Sequence, residues 1–297
     1  MATPARGDGR GRVDGRRPAP LTAPAVSARK GGQPLVMLTA YDAPGARMAD
    51  EAGVDLILVG DSLAMVVLGY DTTLQVTVDD IAHHTAAVAR AKPKAMIIGD
   101  LPWMSYHVSR EESVKNAAVL VRAGAAAIKL EGGRKRLPMI SSILDAEIPV
   151  MGHIGLTPQS VNVMGGFKVQ GKTNEAAEAL VQDAIALADA GCFSIVLEGV
   201  PTETARLVTE AIPIPTIGIG AGPHCDGQML VFHDVLGIEE RVLPKFVRRY
   251  ASLKADAVAA IERFADDVRE RRFPSPDESY GGGPVYGHGG DPERASA

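Results

Sequence analysis

The sequence predicts a single (β/α)8 barrel, and two observations carry this prediction. Short apolar runs alternate with helix-like segments along residues 31–272, a pattern typical of a parallel sheet covered by helices. In addition, a helix end with the dipeptide Ala-Gly is followed three times by an apolar run and an acid, at Asp61, Glu131 and Glu198. The acid stands eight, seven and seven residues after the glycine. Eight strands in a chain of 297 residues favour a closed barrel.

Eight apolar runs bounded by turn residues are predicted as the strands. They are residues 35–39, 55–59, 95–98, 126–131, 149–153, 193–197, 216–219 and 228–232. A doubly wound open sheet is the alternative, and it requires a phosphate-binding turn after the first strand. Residues 38–42, Leu-Thr-Ala-Tyr-Asp, do not form such a turn.

Capping signals define the helices between these strands. Asp42 is predicted to cap a helix that has Pro44 in its first turn and Gly53 after its end. Thr77 and Asp80 fit a capping box at the start of the next helix. Further helices are predicted over residues 109–124, 135–145, 174–190, 203–210 and 244–271, the last of which closes the barrel.

The fourth strand shows how such a barrel would present chemistry. Lys129 and Glu131 are two positions apart, so they point to the same face, while Ile128 and Leu130 point to the covering helices. An apolar outer face with a charged inner end is typical of the C-terminal end of a barrel strand.

Both ends of the chain differ from the body. Residues 1–30 are rich in Arg, Gly, Pro and Ala and hold seven basic and two acidic residues, so we expect a disordered tail. A transit peptide is the alternative, but serine is scarce and no amphipathic stretch is present. Residues 273–297 are rich in Gly and Pro and are also predicted to be disordered. The domain prediction is therefore a tail, a catalytic barrel over residues 31–272, and a second tail.

Charge and cysteine content narrow the classes of function. The whole chain carries −5 and its first thirty residues +5, which leaves −10 on residues 31–297 and argues against nucleic-acid binding. No apolar run is long enough to span a membrane. Cys192 and Cys225 lack a paired spacing, so we expect free thiols in a reducing cytoplasm.

Polar residues at the C-terminal ends of barrel strands converge in one pocket. Those predicted here are rich in acids and include one lysine: Asp61, Ser62, Asp100, Lys129, Glu131, His153 and Glu198. Oxygen ligands of this kind suit Mg²⁺, which leaves coordination positions open for substrate. Carboxylates without a cation would raise each other's pKa values, and a metal together with Lys129 relieves that repulsion.

Most of these residues also have a purely structural interpretation. Asp61 could cap the following helix, Asp100 could order a turn, and His153 could be a hydrogen-bonded core residue. The two glutamates could be partners of a lysine. Lys129 is harder to explain in this way, because an inward lysine needs a charged partner. The occurrence of such residues at equivalent strand ends favours the joint functional interpretation.

Residues 166–173 match the P-loop pattern G-x-x-x-x-G-K-[ST], and an ATPase is therefore a second hypothesis. A P-loop joins a strand directly to a helix, whereas the preceding predicted strand ends near His153. We interpret the match as coincidental. The stretch is predicted to be a loop over the barrel mouth, with Thr173 or Asn174 capping the next helix.

Six motifs in order resemble those of the ketopantoate hydroxymethyltransferase family. They are VGDS at 59–62, GYDTT at 69–73, GDLP at 99–102, KLEGG at 129–133, GHIGLTPQ at 152–159 and IGAGPHCDGQ at 219–228. The resemblance extends from about residue 35 to residue 271. It implies a Mg²⁺-dependent barrel of the phosphoenolpyruvate/pyruvate type. It also implies transfer of a hydroxymethyl group from 5,10-methylenetetrahydrofolate, as co-substrate, to 3-methyl-2-oxobutanoate, giving 2-dehydropantoate in the first step of pantothenate biosynthesis.

The resemblance also implies roles for matched residues. Asp61 and Asp100 are implied as metal ligands that also contact the keto acid, and Glu131 as a carboxylate reaching the metal directly or through water. Ser62 and Lys129 are implied to bind the keto acid.

The resemblance implies Glu198 as the general base that takes the C3 proton. The role of His153 stays open between contacting the substrate, supporting Lys129 and ordering the following loop. A cytoplasmic homodecamer acting on small molecules is implied, without nucleic-acid or membrane partners.

Three other hypotheses compete with metal-assisted enolisation and transfer. Lys129 could form a Schiff base with the keto acid. The barrel could bind a ligand without catalysis, although burying so many ionisable groups without function is costly. A folate-independent C–C lyase of the same barrel type is the third.

Overall fold

The computed structural model describes residues 20–239 and 243–281. Within them, eight parallel strands form a closed barrel in sequence order, which confirms the predicted fold. The strands are β1 (Leu35–Thr39), β2 (Leu56–Val59), β3 (Met96–Asp100), β4 (Ala127–Lys129), β5 (Val150–Gly155), β6 (Ser194–Glu198), β7 (Thr216–Ile219) and β8 (Gly227–Leu230). The strand β8 pairs with β1 and so leaves no free sheet edge.

Helices follow most strands and begin where the capping residues predict. The longer helices that pack on the barrel are α2 (Ala43–Glu51), α4 (Val78–Arg90), α5 (Arg110–Arg122), α6 (Leu137–Asp145), α8 (Asn174–Ala190) and α9 (Thr202–Ala211). Shorter helices are α1 (Ala23–Ser27), α3 (Leu63–Val66), α7 (Val161–Met164) and α10 (Phe232–Leu236), and α11 (Leu253–Arg269) is the last helix. Asp42 and Ser109 each accept a backbone N–H at a helix start, and Thr77 with Asp80 forms the predicted capping box.

The strand register decides which side chains meet inside the barrel. Met37 of β1 stands beside Met229 of β8, and both lie in the inner core. Asp100 of β3 stands beside Lys129 of β4, and both are buried. Because paired residues of parallel strands share a face, this register brings a carboxylate and an ammonium group together at the C-terminal end.

Two apolar layers support that polar end. An inner layer of residues such as Leu58, Ile98 and Met151 fills the barrel, and an outer layer that includes Ile128 packs between strands and helices. The predicted alternation in the fourth strand is therefore observed. No helix among the described residues is long and apolar enough to cross a membrane.

The predicted N-terminal tail, residues 1–30, is too long by about a third. Helix α1 buries Ala23 and Val26 against the inner core, and Ser27 Oγ donates to the carbonyl of Phe193 at 2.9 Å. Lys30 Nζ lies 2.9 Å from Asp226 Oδ2. This segment covers the N-terminal end of the barrel. The sequence did not predict it, because its few apolar residues lie in a segment rich in Arg and Pro and form no recognisable pattern. Residues 1–19 of the predicted tail lie outside the described residues.

The predicted closing helix over residues 244–271 also differs from the structure. Helix α11 begins only at residue 253, and as described it buries none of its residues. It exposes an apolar stripe of Val258, Ile261, Phe264 and Val268. Residues 243–246 instead line a cavity at the C-terminal end of the barrel.

Helix α11 does not cover the outer face of β1, where Val36 is 50% exposed.

The predicted C-terminal tail, residues 273–297, contains a helical turn at Pro276–Glu278. Residues 282–297 of this tail lie outside the described residues.

We expect Val26→Ala to lower the free energy of unfolding by about 1–3 kcal/mol, because it removes two methyl groups from a buried site. Urea denaturation followed by circular dichroism measures this. Thr22→Ala is the matched control, since Thr22 is exposed and its side chain makes no capping bond. Equal stability of both variants and the native chain would show that α1 does not contribute to the core.

Candidate active site

All seven predicted site residues line one cavity of about 690 Å³ at the C-terminal end of the barrel. Their side chains form its floor: Asp61, Ser62, Asp100, Lys129, Glu131, His153 and Glu198. Each lies at the end of a strand or directly after it. The barrel thus brings together residues that span more than 130 positions of the chain, from 61 to 198.

The centre of the floor is a buried ion pair. Lys129 Nζ lies 2.7 Å from Asp100 Oδ1. The backbone N–H of Asp61 donates to Asp100 Oδ2 at 3.1 Å. Burial raises the pKa of Asp100 to about 7 against the opposing effect of Lys129. Burial alone would lower the pKa of Lys129, but Asp100, Glu131 and Asp61 together raise it above its ordinary value, so the ammonium stays charged.

His153 lies between the ion pair and the glutamates. Its Nδ1 is 3.4 Å from Lys129 Nζ and 3.5 Å from Glu131 Oε1, and its Nε2 is 3.3 Å from Glu198 Oε2. Burial and the charge of Lys129 hold the pKa of His153 well below its usual value, so the ring is neutral. Since an ammonium group only donates, Nδ1 is the acceptor and the ring proton is on Nε2, facing Glu198.

Glu198 ends β6 and keeps 15% of its side chain exposed to the cavity. Burial raises its pKa to about 7, with Lys129 acting in the opposite direction. A carboxylate with such a pKa is ionised in a large fraction of molecules at neutral pH and is a stronger base than a free glutamate.

Ser62 lines the cavity and is in contact with the buried residue Tyr41, which does not line it. Their hydroxyl oxygens lie 2.9 Å apart, and burial raises the pKa of Tyr41 to about 12. Tyr41 therefore stays protonated and can hold the Ser62 hydroxyl in one orientation. Tyr41 was not among the predicted site residues.

Gln159 is the main residue that the sequence analysis missed. Its Nε2 donates to Asp61 Oδ2 at 2.9 Å and to the carbonyl of Leu101 at 3.0 Å, and its backbone N–H donates to Glu131 Oε2 at 3.0 Å. Tyr106 Oη donates to Gln159 Oε1 at 2.6 Å. Because the carbonyl of Leu101 can only accept, the amide has one orientation. Gln159 belongs to the quoted motif at 152–159, but no charge or strand end marked it.

The donor set of the floor fits Mg²⁺. Four carboxyl groups face one lysine, and burial raises the pKa of Asp61 and Glu131 as well as those of Asp100 and Glu198. A divalent cation would compensate this excess of acids. In residues 20–239 and 243–281, no three His, Cys, Asp or Glu side chains are placed to hold one ion together. Two carboxylates with substrate and water oxygens are a common set for Mg²⁺.

Asp61 and Asp100 stay the predicted ligands of the ion; Asp61 Oδ2 already accepts from Gln159, and the two Asp100 oxygens face Lys129 Nζ and the Asp61 N–H. Glu131 Oε2 already accepts the N–H of Gln159, so its contact with a metal stays a prediction.

The P-loop match at 166–173 does not have the required structure. It follows α7 and lies eleven residues after the end of β5 at Gly155, so no strand leads into it. Phe167 and Val169 line the cavity, and Thr173 caps α8 by accepting the N–H of Ala176. The predicted loop over the barrel mouth is therefore observed.

The fold is similar to solved barrels of the PEP mutase/isocitrate lyase superfamily. One is 2,3-dimethylmalate lyase, with a TM-score of 0.56 and 18% identity over 89% of this chain and 93% of that chain. Another is oxaloacetate acetylhydrolase bound to 3,3-difluorooxalacetate, with a TM-score of 0.56 and 16% identity over 89% and 92%. These likenesses define the class of fold, a (β/α)8 barrel.

The family follows from sequence. A model of the ketopantoate hydroxymethyltransferase family matches residues 21–276. Relatives called 3-methyl-2-oxobutanoate hydroxymethyltransferase include one from Syntrophobacter fumaroxidans, 55% identical over 88% of this chain and 93% of its own length. Another, from Ignicoccus hospitalis, is 56% identical over 82% and 93%. The chain belongs to the ketopantoate hydroxymethyltransferase family.

We expect Gln159→Leu to reduce the free energy of unfolding by about 2–4 kcal/mol, since it leaves Asp61 Oδ2 and the Leu101 carbonyl without this amide donor in a buried site. Chemical denaturation measures the change. Gln182→Leu is the control, because Gln182 is exposed on α8 and bonds only to Glu178. A loss no larger than that of the control would mean that this network does not stabilise the site.

Proposed function

We propose that the chain transfers a hydroxymethyl group from 5,10-methylenetetrahydrofolate to 3-methyl-2-oxobutanoate, giving 2-dehydropantoate. We place this reaction in the cytoplasm, as the first step of pantothenate biosynthesis. The observation that carries the proposal is a charged Lys129 and a raised-pKa Glu198, which face the same cavity on opposite sides of His153. The family membership and the names of the relatives support the same reaction.

The keto acid is an anion with a polar keto group, and the floor offers groups for both. Mg²⁺ held by Asp61 and Asp100, when bound, would act as a Lewis acid on the keto group. Lys129 supplies a fixed positive charge where negative charge develops. The Ser62 hydroxyl, oriented by Tyr41, can donate to a substrate oxygen.

Glu198 is the group that can remove the C3 proton of the keto acid. Its pKa of about 7 is suited to a base at neutral pH. His153 Nε2 lies 3.3 Å from Glu198 Oε2, and the Glu198 side chain lines the cavity and is 15% exposed. His153 is therefore proposed to orient the base while it accepts from Lys129 through Nδ1.

The transfer balances with one water molecule. Water cleaves the two bonds from the methylene carbon to the folate nitrogens: its two protons pass to the nitrogens, and its oxygen stays on the carbon as formaldehyde. Glu198 takes the C3 proton, and C3 then forms a bond to that carbon. The proton on Glu198 passes to the resulting alkoxide, and tetrahydrofolate and 2-dehydropantoate leave.

The structure disfavours the Schiff-base alternative. An amine must be neutral to attack a carbonyl, whereas three carboxyl groups raise the pKa of Lys129. Borohydride trapping tests this directly. A folate-independent lyase of the same barrel is separated from the transferase by dependence on the one-carbon donor.

We expect the native chain to exchange the C3 proton of 3-methyl-2-oxobutanoate with heavy water in the absence of folate. In Glu198→Gln, the exchange rate should be lower than in the native chain by a factor of about a hundred or more. The exchange rate should rise with pH up to about 7 and then level, because the carboxyl group is a base only when it is ionised. NMR of the C3 signal at saturating Mg²⁺ measures it. If Glu198→Gln exchanges the C3 proton as fast as the native chain, Glu198 is not the base.

Two controls belong to this experiment. Glu198→Gln should be no less stable than the native chain at pH 8, since a neutral amide avoids the cost of the buried charge that raises the pKa. Exchange that stops with excess chelator supports the Mg²⁺ requirement. Exchange that survives chelation and permits borohydride trapping would instead favour the Schiff base.

We also propose that the chain associates with copies of itself, as the implied decamer requires. Helix α11 supports this, because its apolar stripe is exposed while the outer face of β1 and β8 is incompletely covered at Val36 and Gln228. Each copy thus has both an uncovered helix face and an uncovered strand face. A second copy satisfies both without any other partner.

We expect Ile261→Asp to shift the particle mass toward the 31.1 kDa of one chain, because it places a charge in the apolar stripe. Light scattering coupled to size-exclusion chromatography measures the mass. Ala260→Asp introduces the same charge beside the stripe and should have a smaller effect. A native chain that already runs as a monomer would contradict the proposed association.

A further inference from the structure

The cavity has a second part that the floor residues do not explain. Above the polar floor lies an apolar rim, which we define as Met65, Leu156, Phe167, Val169 and Phe246. Phe167 is 53% and Phe246 38% exposed, although both line the cavity. Apolar side chains that stay exposed around a polar centre are typical of a ligand site.

The size of the cavity also exceeds the needs of the keto acid. About 690 Å³ is within the range of pockets that hold drug-sized ligands. The keto acid has only eight non-hydrogen atoms, and the charged floor accounts for its polar groups. The rim is therefore available to a second, larger ligand.

The two aromatic residues of the rim are held in place by the backbone. The Phe246 ring lies directly against Gly220, where an added Cβ would come within 2.6 Å of Phe246 Cδ1 and where φ is +64°. The loop that carries Phe167 is joined to the end of β6, because the N–H of Gln170 donates to the carbonyl of Gly199 at 2.9 Å. Gly199 directly follows Glu198, so the rim is fixed beside the base.

We propose that this rim binds the flat heteroaromatic part of the one-carbon donor, with Phe246 and Phe167 as the aromatic contacts. Lys245 lines the same part of the cavity and is exposed, so it meets the carboxylates of the donor's glutamate tail. This assignment rests on the proposed function. It explains why the cavity combines an anionic floor with an aromatic, partly cationic entrance.

The test separates donor binding from chemistry on the keto acid. In Phe246→Ala and Phe167→Ala, the KM for 5,10-methylenetetrahydrofolate and the Kd for tetrahydrofolate, measured by calorimetry, should each rise about tenfold. The factor by which the rate of folate-free C3 exchange falls in the same variants should be at least fivefold smaller than the factor by which the KM and the Kd rise. Tyr250→Ala is the matched control, because Tyr250 is an exposed aromatic of the same segment and does not line the cavity.

Lys245→Met tests the tail contact. It should weaken tetrahydrofolate binding severalfold while leaving the binding of tetrahydropterin, which has no glutamate, close to that of the native chain.

The outcomes distinguish this inference from the proposed function. Normal exchange with an unchanged Kd for tetrahydrofolate in both Phe variants would overturn the rim assignment alone. Exchange and donor affinity that fall by the same factor would also overturn it, because the rim would then act through the floor. A native chain that neither exchanges C3 nor binds tetrahydrofolate would remove the proposed function itself.

Discussion

The buried pair of Lys129 and Asp100 is the interaction on which the rest of the site depends. The register of β3 and β4 places the two residues side by side, and their charged atoms lie 2.7 Å apart with almost no exposure to water. Removing two such charges from water is costly unless each finds its partner and further hydrogen bonds. The ammonium group keeps its proton because acids surround it, and burial together with that charge keeps His153 neutral. The register of two strands thus fixes the charged pair around which the other groups of the floor are arranged.

The raised pKa values of the four acids follow from the same arrangement. A closed barrel leaves one small end where every strand terminates, so polar residues on several strands must share a poorly hydrated space. Gln159 relieves part of this cost, since its neutral amide donates to Asp61 without adding charge and is itself fixed by Tyr106. Packing in the apolar layers inside and outside the sheet stabilises the fold and offsets the destabilising effect of these buried acids. The site is therefore destabilising by itself and depends on the barrel below it.

Much of this architecture could be predicted from sequence, because two simple rules apply to a barrel. Period-two alternation identified which face of the fourth strand carries Lys129, and the ends of strands identified the acids. Gln159 escaped these rules, since it lies in a short 3-10 helix after β5 and reaches the site only through tertiary structure. Helix α1 was missed because five residues in an Arg-rich segment give too weak a pattern. The helix predicted over residues 244–271 was expected to close the barrel, but the apolar residues of a helix do not specify what covers them.

The rim and the floor have different origins in the fold, and this difference has a consequence for specificity. The floor is built from strand ends, whose positions are fixed by the register of the sheet, whereas the two aromatic residues of the rim come from connecting segments after α7 and after α10. Barrels of this type with 16–18% identity share the fold, and a shared fold does not determine the reaction. Connecting segments can change without disturbing the sheet. Under the proposed function, proton removal from the keto acid therefore depends on the strand ends, and the choice of what the resulting carbon attacks depends on the segments that carry Phe167 and Phe246.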